Sequence, residues 1–129
     1  MSSPPLRRIL FVEDDPDIQV VATLALESLG GFAVLACGSG VEALSRFADF
    51  APDLVLLDVM MPGMDGPATL EALRRLPAGE VPVVFMTARV QAHEILQYRE
   101  MGAVEVIAKP FDPMTLAETV QTLWRSLHA

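Results

Sequence analysis

The sequence predicts an α/β domain in which a parallel five-stranded sheet is covered by helices on both faces. Apolar blocks alternate with amphipathic blocks, and this strand-then-helix repeat occurs five times along the chain. The apolar blocks show no polar alternation, so both faces of each predicted strand are expected to be buried. The connections between blocks are short, which favours one domain with right-handed crossovers.

Each apolar block has the length and composition of a buried strand. The first block ends in acidic residues, and the third block, Leu54-Val55-Leu56-Leu57, runs directly into Asp58. The predicted strands span residues 9–12, 32–37, 54–57, 81–86 and 104–108.

The blocks between strands carry helical spacing or helix-boundary residues. Apolar residues recur at helical intervals from Ile18 to Leu29, and Gly30-Gly31 ends that helix. Pro67 suits the first turn of a helix, and Asp112 is the expected N-cap of the last helix. The predicted helices span residues 16–29, 41–50, 67–76, 91–101 and 113–127.

Length and composition limit the class of protein. A chain of 129 residues suits one domain, which we predict at residues 8–127 after a flexible N-terminal tail at residues 1–7. Apolar residues make up 52% of the chain, which excludes a disordered protein, and no apolar run reaches the ~18 residues of a membrane span. The net charge of −8 argues against a chain that grips nucleic acid phosphates by itself. The single Cys37 and the lack of a signal-peptide pattern predict a cytoplasmic protein.

Polar residues collect at the carboxyl ends of the predicted strands. Glu13 and Asp14 follow the first strand, Asp58 follows the third, Thr87 follows the fourth and Lys109 follows the fifth. Ligands of an open parallel sheet bind beyond these strand ends, so the residues are expected to form one site. Taken alone, Thr87 is more often a capping hydroxyl, and Lys109 is more often a solvated lysine. The convergence of four strand ends favours a site.

The residue types indicate phosphoryl chemistry with a divalent metal. Carboxylates close together repel one another, and a hard cation such as Mg²⁺ relieves that repulsion through oxygen ligands and waters. A lysine and a hydroxyl beside Asp58 are suited to hold the oxygens of a phosphoryl group. Asp58 is the candidate nucleophile, since carboxylates form aspartyl phosphates.

Four motifs give the sequence a family resemblance. ILFVEDDP, LVLLDVMMPGMDG, VVFMTA and VIAKPF occur in an order and spacing that resemble the receiver domain of two-component response regulators. The resemblance covers residues 8–127. It implies a flavodoxin-like (βα)5 three-layer sandwich whose parallel five-stranded sheet has the order 2-1-3-4-5.

The resemblance also implies a phosphorylation site and its metal ligands. Asp58 would be the phosphoacceptor. Mg²⁺ would be bound by Asp58, by Asp14 directly, by Glu13 through water, and by the backbone carbonyl of Met60.

A second set of implied roles concerns the switch. Thr87 would be the switch hydroxyl, Lys109 would contact the phosphoryl group, and the Lys109-Pro110 bond resembles one that is cis in the family. Val106 departs from the family pattern, which often has Tyr or Phe at this position, a ring that swings inward as the hydroxyl moves. The switch is therefore expected to lack the aromatic side chain that usually moves together with the hydroxyl.

The implied function is a signalling switch rather than an enzyme, although the domain would catalyse its own phosphorylation and dephosphorylation. The phosphoryl donor would be a sensor histidine kinase or a histidine phosphotransfer protein. Phosphorylation would change the surface made by the fourth helix, the fifth strand and the fifth helix, and an unknown downstream effector would bind there. Direct nucleic acid binding and membrane association are not expected. The expected state is a monomer or a weak dimer through the same surface.

Three other interpretations have the same fold or site. A phosphatase of the haloacid dehalogenase type needs a second acid two residues after its nucleophile, where Met60 stands. A flavin carrier needs a phosphate-binding loop after the first strand, where the stretch Glu13-Asp14-Asp15-Pro16 would repel phosphate. A degenerate receiver that only binds proteins would lack part of the set Asp14, Asp58, Thr87 and Lys109.

No output domain is expected after residue 129, so the alternatives are a stand-alone receiver, a phosphorelay shuttle and one domain of a longer chain.

Overall fold

The computed structural model describes residues 4–128, which form five parallel strands that alternate with five helices. The strands are β1 (Arg8–Val12), β2 (Ala33–Cys37), β3 (Leu54–Asp58), β4 (Val83–Thr87) and β5 (Glu105–Ala108). The helices are α1 (Pro16–Gly30), α2 (Gly40–Phe50), α3 (Gly66–Leu73), α4 (Ala92–Glu100) and α5 (Pro113–Leu127). The sheet order is β2-β1-β3-β4-β5, and each neighbouring pair is parallel. The predicted three-layer fold and strand order are confirmed.

The sheet separates two apolar layers. On one face, α1 and α5 pack against sheet residues such as Phe11 and Leu56. On the other face, α2, α3 and α4 pack against residues such as Val55 and Phe85. Alternate residues of a strand enter opposite layers, and every residue of β3 and β4 is buried. This burial is what the continuous apolar runs of these strands predict.

The helix ends have local causes. α1 begins after Asp15, whose Oδ1 accepts the amide of Asp17 at 2.8 Å. The predicted N-cap of α5 is confirmed, since Asp112 Oδ1 accepts the amide of Met114 at 2.9 Å. α1 ends at Gly30 and is capped by Gly31, whose φ of 71° is a left-handed conformation that glycine adopts without strain. Within residues 4–128, no helix is long and apolar enough to cross a membrane.

Two element boundaries differ from the prediction by more than one residue. β4 begins at Val83 rather than residue 81, because Pro82 has no N–H to donate to the sheet. α3 ends at Leu73 rather than residue 76. The amide of Leu76 donates to the carbonyl of Leu73 at 3.0 Å, so the chain tightens into a turn before Pro77, and the residue before a proline disfavours helix.

The predicted tail at residues 1–7 lies partly outside the described residues. The described part, from residue 4, packs against the domain. Leu6 is buried, and Trp124 Nε1 donates to the carbonyl of Pro4 at 2.7 Å. The amides of Arg7 and Arg8 both donate to Asp53 Oδ2, at 3.0 and 2.9 Å. Leu6 therefore belongs to the core, while Pro4, Pro5 and Arg7 are exposed. The flexibility predicted for residues 1–7 stays a prediction.

Arg74 joins two connections on the α3–α4 side of the sheet. Its Nη1 donates to the carbonyls of Gly79 and Val81 at 2.7 and 2.8 Å, and its Nη2 donates to the carbonyl of Gly102 at 3.3 Å. The side chain is partly buried, and this burial lowers the pKa of Arg74. One guanidinium thus satisfies carbonyls of both the α3–β4 and the α4–β5 connections.

We predict that Arg74→Ala lowers the free energy of unfolding by about 2–3 kcal/mol, because three carbonyls lose a charged donor. Arg75→Ala is the matched control. The Arg75 side chain makes an exposed ion pair with Glu71 at 2.7 Å, and such pairs contribute at most about 1 kcal/mol. Urea unfolding followed by the fluorescence of Trp124 measures both variants. Equal losses in the two variants would contradict the role given to Arg74.

Candidate functional site

The end of β1 places Glu13 inside the site. Glu13 is 1% exposed, and its amide donates to the carbonyl of Cys37 at 2.9 Å. The side chain of Gln19 donates to its carbonyl. The Oε1 atom of Glu13 lies 2.6 Å from Lys109 Nζ, and the Oε2 atom of Glu13 accepts the amide of Asp15 at 3.2 Å. Both oxygens of this buried carboxylate therefore have partners.

Asp58 is the last residue of the central strand β3. Its side chain is buried, with the residue 4% exposed. The amide of Val59 donates to the carbonyl of Met86 at 3.1 Å, which fixes the strand end against β4. On the other side, α3 begins so close that a Cβ at Gly66 would lie 2.7 Å from the carbonyl oxygen of Asp58. Only glycine fits this close approach, and the Asp58 carboxylate is held on a rigid support.

Lys109 links the carboxylates of β1 and β3 from the end of β5. Its Nζ lies 2.6 Å from Glu13 Oε1 and 3.4 Å from Asp58 Oδ2. Burial acts to lower the pKa of Lys109, but the hydrogen bond to Glu13 and the charges of Asp58 and Glu13 outweigh it, so the pKa is raised. The ammonium group therefore stays charged. The bond from Lys109 to Pro110 is cis, as the family resemblance implied.

Asp14 completes an acidic cluster. One carboxylate oxygen from each of Glu13, Asp14 and Asp58 lies within 4.8 Å of the others. Asp14 is exposed, and partial desolvation together with the neighbouring Glu13 raises its pKa, while the charge of Lys109 offsets only part of this effect. Three carboxylates thus face one ammonium, and the site attracts additional positive charge.

Thr87 ends β4 beside this cluster and is 2% exposed. Within residues 4–128, its hydroxyl oxygen accepts the amide of Arg89 at 3.1 Å and makes no hydrogen bond to Asp58 or Lys109. The structure therefore brings Glu13, Asp14, Asp58 and Lys109 together, while the Thr87 hydroxyl is turned toward its own loop. The hydroxyl proton is not used by the bond to Arg89.

Met60 lies at the mouth of the site. Its side chain is exposed, at 66%, and its amide lies 3.4 Å from Asp58 Oδ1, which is a weak hydrogen bond. The proposed role of its backbone carbonyl as a metal ligand stays a prediction.

Two supporting residues were missed by sequence reasoning. Gly66 has no role in the sequence analysis, although a glycine immediately before Pro67, in the first turn of a predicted helix, signals a close approach of backbones. Gln19 holds the carbonyl of Glu13 from α1, and a single glutamine on a helix gives no signal in one sequence.

The site has the parts for nucleophilic attack by a carboxylate. Asp58 offers a fixed carboxylate, the kind of group that can act as a nucleophile, and Lys109 supplies a positive charge beside it. A family model described as the response regulator receiver domain matches residues 9–121. This chain belongs to the response regulator receiver domain family. The match includes all the residues of the acidic cluster as well as Thr87 and Lys109.

Curated relatives of this receiver domain are longer proteins. It is 38% identical over 117 residues to the transcriptional regulatory protein CseB of Streptomyces coelicolor, covering 91% of this chain and 49% of that protein. It is 38% identical over 120 residues to the DNA-binding response regulator MtrA of Mycolicibacterium smegmatis, covering 92% of this chain and 51% of that protein. The chain therefore spans about half the length of the curated relatives it matches.

Solved structures share the fold over nearly their whole length. The chemotaxis response regulator CheY4 of Vibrio cholerae superposes with a TM-score of 0.84 at 27% identity, covering 92% of this chain and 99% of that one. The receiver domain of the Francisella response regulator 1452 gives a TM-score of 0.82 at 25% identity, covering 94% and 98%. These likenesses support the three-layer arrangement described above.

We predict that Asp14→Asn stabilises the metal-free protein at pH 7, by less than about 1 kcal/mol because the side chain is exposed. The pKa of Asp14 is raised above its usual value of 3.8, so its ionised form is less stable in the folded protein than in the unfolded chain. This loss of folding stability is present at pH values above the raised pKa of Asp14 and disappears below its usual pKa of 3.8. Urea unfolding in EDTA should show a gain at pH 7 and none at about pH 3. A variant less stable than wild type at pH 7 would rule out repulsion within the cluster.

Proposed function

We propose that this receiver domain accepts a phosphoryl group on Asp58 from the phosphohistidine of a sensor histidine kinase or a histidine phosphotransfer protein, in a Mg²⁺-dependent reaction. The observation that carries the proposal is the position of Lys109 Nζ, which lies 3.4 Å from the buried Asp58 carboxylate and 2.6 Å from that of Glu13. The domain acts as a signalling switch, and its catalysis is limited to its own phosphorylation and dephosphorylation.

The transfer step follows from these positions. A carboxylate oxygen of Asp58 attacks the phosphorus, the bond between phosphorus and the donor imidazole nitrogen breaks, and the electron pair of that bond returns to the nitrogen. Asp58 becomes an acyl phosphate. Lys109 is placed to hold a phosphoryl oxygen as negative charge shifts onto the group, and the Thr87 hydroxyl proton is available for another oxygen.

The acidic cluster fits a magnesium ion. Its donors are carboxylate oxygens, which Mg²⁺ prefers, and their mutual distances within 4.8 Å suit one shared cation. Asp14 and Asp58 would bind the ion directly and the Met60 carbonyl would add a ligand, while Glu13, whose oxygens already have partners, would act through water. The bound ion would neutralise the repulsion between Asp58 and the incoming phosphoryl group.

The output is proposed for the surface of α4, β5 and α5. The hydrogen bond from the Arg89 amide to the Thr87 hydroxyl lies in the loop just before α4, so movement of that hydroxyl changes the start of α4. CseB and MtrA are named as transcriptional and DNA-binding regulators, whereas this acidic chain is proposed to act through a protein effector or an attached domain. A monomer or a weak dimer through the same surface, and a cytoplasmic location, stay predictions.

We predict that acetyl phosphate with Mg²⁺ adds one phosphoryl group, about 80 Da, to the intact protein. Asp58→Asn should take up none, because the nucleophilic carboxylate is removed, and EDTA should prevent uptake in the wild type. Asp49→Asn, an exposed residue of α2, is the matched control and should be phosphorylated normally. Intact-mass spectrometry gives the result. Either of two results would overturn the proposal: phosphate on the Asp58→Asn protein would place the phosphorylation site at another residue, and no phosphate on the wild type would favour a receiver that only binds proteins.

A second prediction concerns the lifetime of the acyl phosphate. Met60 is exposed at the mouth of the site and its apolar side chain orients no water, while Arg89 supplies a cation that can pair with a phosphoryl oxygen. We expect a half-life of minutes to hours, and Met60→Asn should speed hydrolysis several-fold, about 1 kcal/mol of barrier.

The measurement for this prediction is loss of phosphate from the purified phosphorylated protein. Met101→Asn changes an exposed methionine beyond the end of α4 and is the matched control. If Met60→Asn and Met101→Asn hydrolyse at the wild-type rate, the Met60 side chain does not control access of water.

A further inference from the structure

β5 is one of the two edge strands of the sheet, and β2 is the other. Within residues 4–128, no strand pairs with the outer side of β5, which is therefore an open edge. The amide of Lys109 donates to the carbonyl of Thr87 in β4 at 2.9 Å. Amides along a strand point alternately to opposite sides, so the amide of Val106 points away from β4 and toward the open edge. An open edge of this kind is where a strand of another chain adds.

A carboxylate occupies that edge. The amide of Val106 donates to Oε1 of the preceding residue, Glu105, at 3.1 Å. The same oxygen accepts Nη2 of Arg99, in α4, at 3.0 Å. We call these three groups, the Arg99 guanidinium, the Glu105 carboxylate and the Val106 amide, the edge latch. Glu105 thus takes the position that the carbonyl of an added strand would need.

The edge latch crosses from one face of the sheet to the other. Ile107 packs in the layer of α1 and α5, while Val106 packs in the layer that includes α4. Strand alternation places Glu105 on the α5 side, yet its carboxylate reaches Arg99 of α4. The side chains of this ion pair are 52% and 41% exposed, and exposed pairs of this kind contribute little to stability. A small movement of α4 is therefore enough to open the latch.

A groove runs beside the same edge, between β5 and α5. Its volume is about 530 Å³, and β5 contributes Glu105 and Val106 to its wall. The α5 wall presents the carboxylate of Glu118 and the hydroxyls of Thr115 and Thr119, among others. Among residues 4–128, no lysine or arginine lines the groove. The groove therefore suits a positively charged peptide whose backbone can form hydrogen bonds with the edge of β5.

We propose that the β5 edge is a docking site for an extended, lysine- or arginine-bearing segment of an effector protein, and that the edge latch keeps this site closed. The segment would lie in the groove as a sixth strand, its carbonyl would accept the amide of Val106, and its cations would lie near Glu118. A second copy of this chain does not fit, because it would bring the same carboxylates, on a chain of net charge −8, against one another. Opening of the latch by movement of α4 rests on the proposed function.

The docking site is tested first on the unphosphorylated protein. The probe is a short fluorescent peptide in which lysine alternates with valine, and the measurement is fluorescence anisotropy. Arg99→Ala and Glu105→Ala should bind it about tenfold more tightly than wild type, which corresponds to about one hydrogen bond at the freed edge. Glu71→Ala, which removes a matched exposed ion pair with Arg75 on α3, should bind as wild type does. Equal affinities in all four proteins would overturn the latch.

A second peptide separates strand addition from charge attraction. It keeps every lysine but replaces every valine by proline, which disfavours a strand and removes the amides that a ladder with β5 needs. This peptide should not bind. In amide exchange, Val106 should exchange faster in Glu105→Ala and slow again with the first peptide. Equal binding of the two peptides, or unchanged exchange at Val106, would overturn the docking site.

The phosphorylation step is tested separately with beryllofluoride and Mg²⁺. Wild-type protein should then bind the first peptide as tightly as Arg99→Ala does, and Asp58→Asn should not respond. If the variants bind but wild type does not respond, although intact mass shows phosphate on Asp58, phosphorylation does not open the latch. If Asp58 takes up no phosphate, the proposed function fails while the docking result on the variants stands.

Discussion

The buried ion pair between Lys109 and Glu13 joins the two ends of the functional edge. β3 and β4 lie between β1 and β5 in the sheet, and Lys109 reaches across them to Glu13 Oε1 at 2.6 Å. Removing one partner of a buried ion pair costs about 3–5 kcal/mol, because the other charge is left uncompensated. Here the loss of Lys109 would leave both Glu13 and Asp58 without a cation. The stability of this edge and the chemistry of the site therefore depend on the same ammonium group.

The unequal distances within this cluster matter for reactivity. Lys109 Nζ is closer to Glu13 than to Asp58, so Glu13 anchors the ammonium while Asp58 keeps its carboxylate oxygens without a short hydrogen bond. A phosphoryl group on Asp58 would bring its own oxygens to the ammonium without displacing it from Glu13. The excess of negative charge in the cluster is tolerated because Asp14 is exposed to solvent.

Sequence reasoning succeeds where the structure depends on local patterns. The apolar run before Asp58 predicts a buried central strand, and the strand ends then predict which polar residues meet. Sequence reasoning does not predict contacts that depend on where a side chain points in the folded structure. Examples are the burial of Leu6 in the core and the three carbonyls that accept hydrogen bonds from Arg74. Sequence reasoning also does not predict the orientation of the Thr87 hydroxyl. The sequence is the same whether the hydroxyl faces the Arg89 amide or the functional site.

The attachment of α4 suits the proposed switch, which would operate without an aromatic residue at position 106. Among its residues, Tyr98 alone is buried, and its ring meets Phe85 edge-on with centroids 5.5 Å apart. A hydroxyl of Thr87 that turns toward a phosphoryl group must leave the amide of Arg89, just before this weakly held helix. The free energy needed to move α4 is then small, since one buried ring and a few exposed polar contacts oppose it. Val106 would stay packed against the core, and the proposed change would pass through the loop and α4 instead of through a ring on β5.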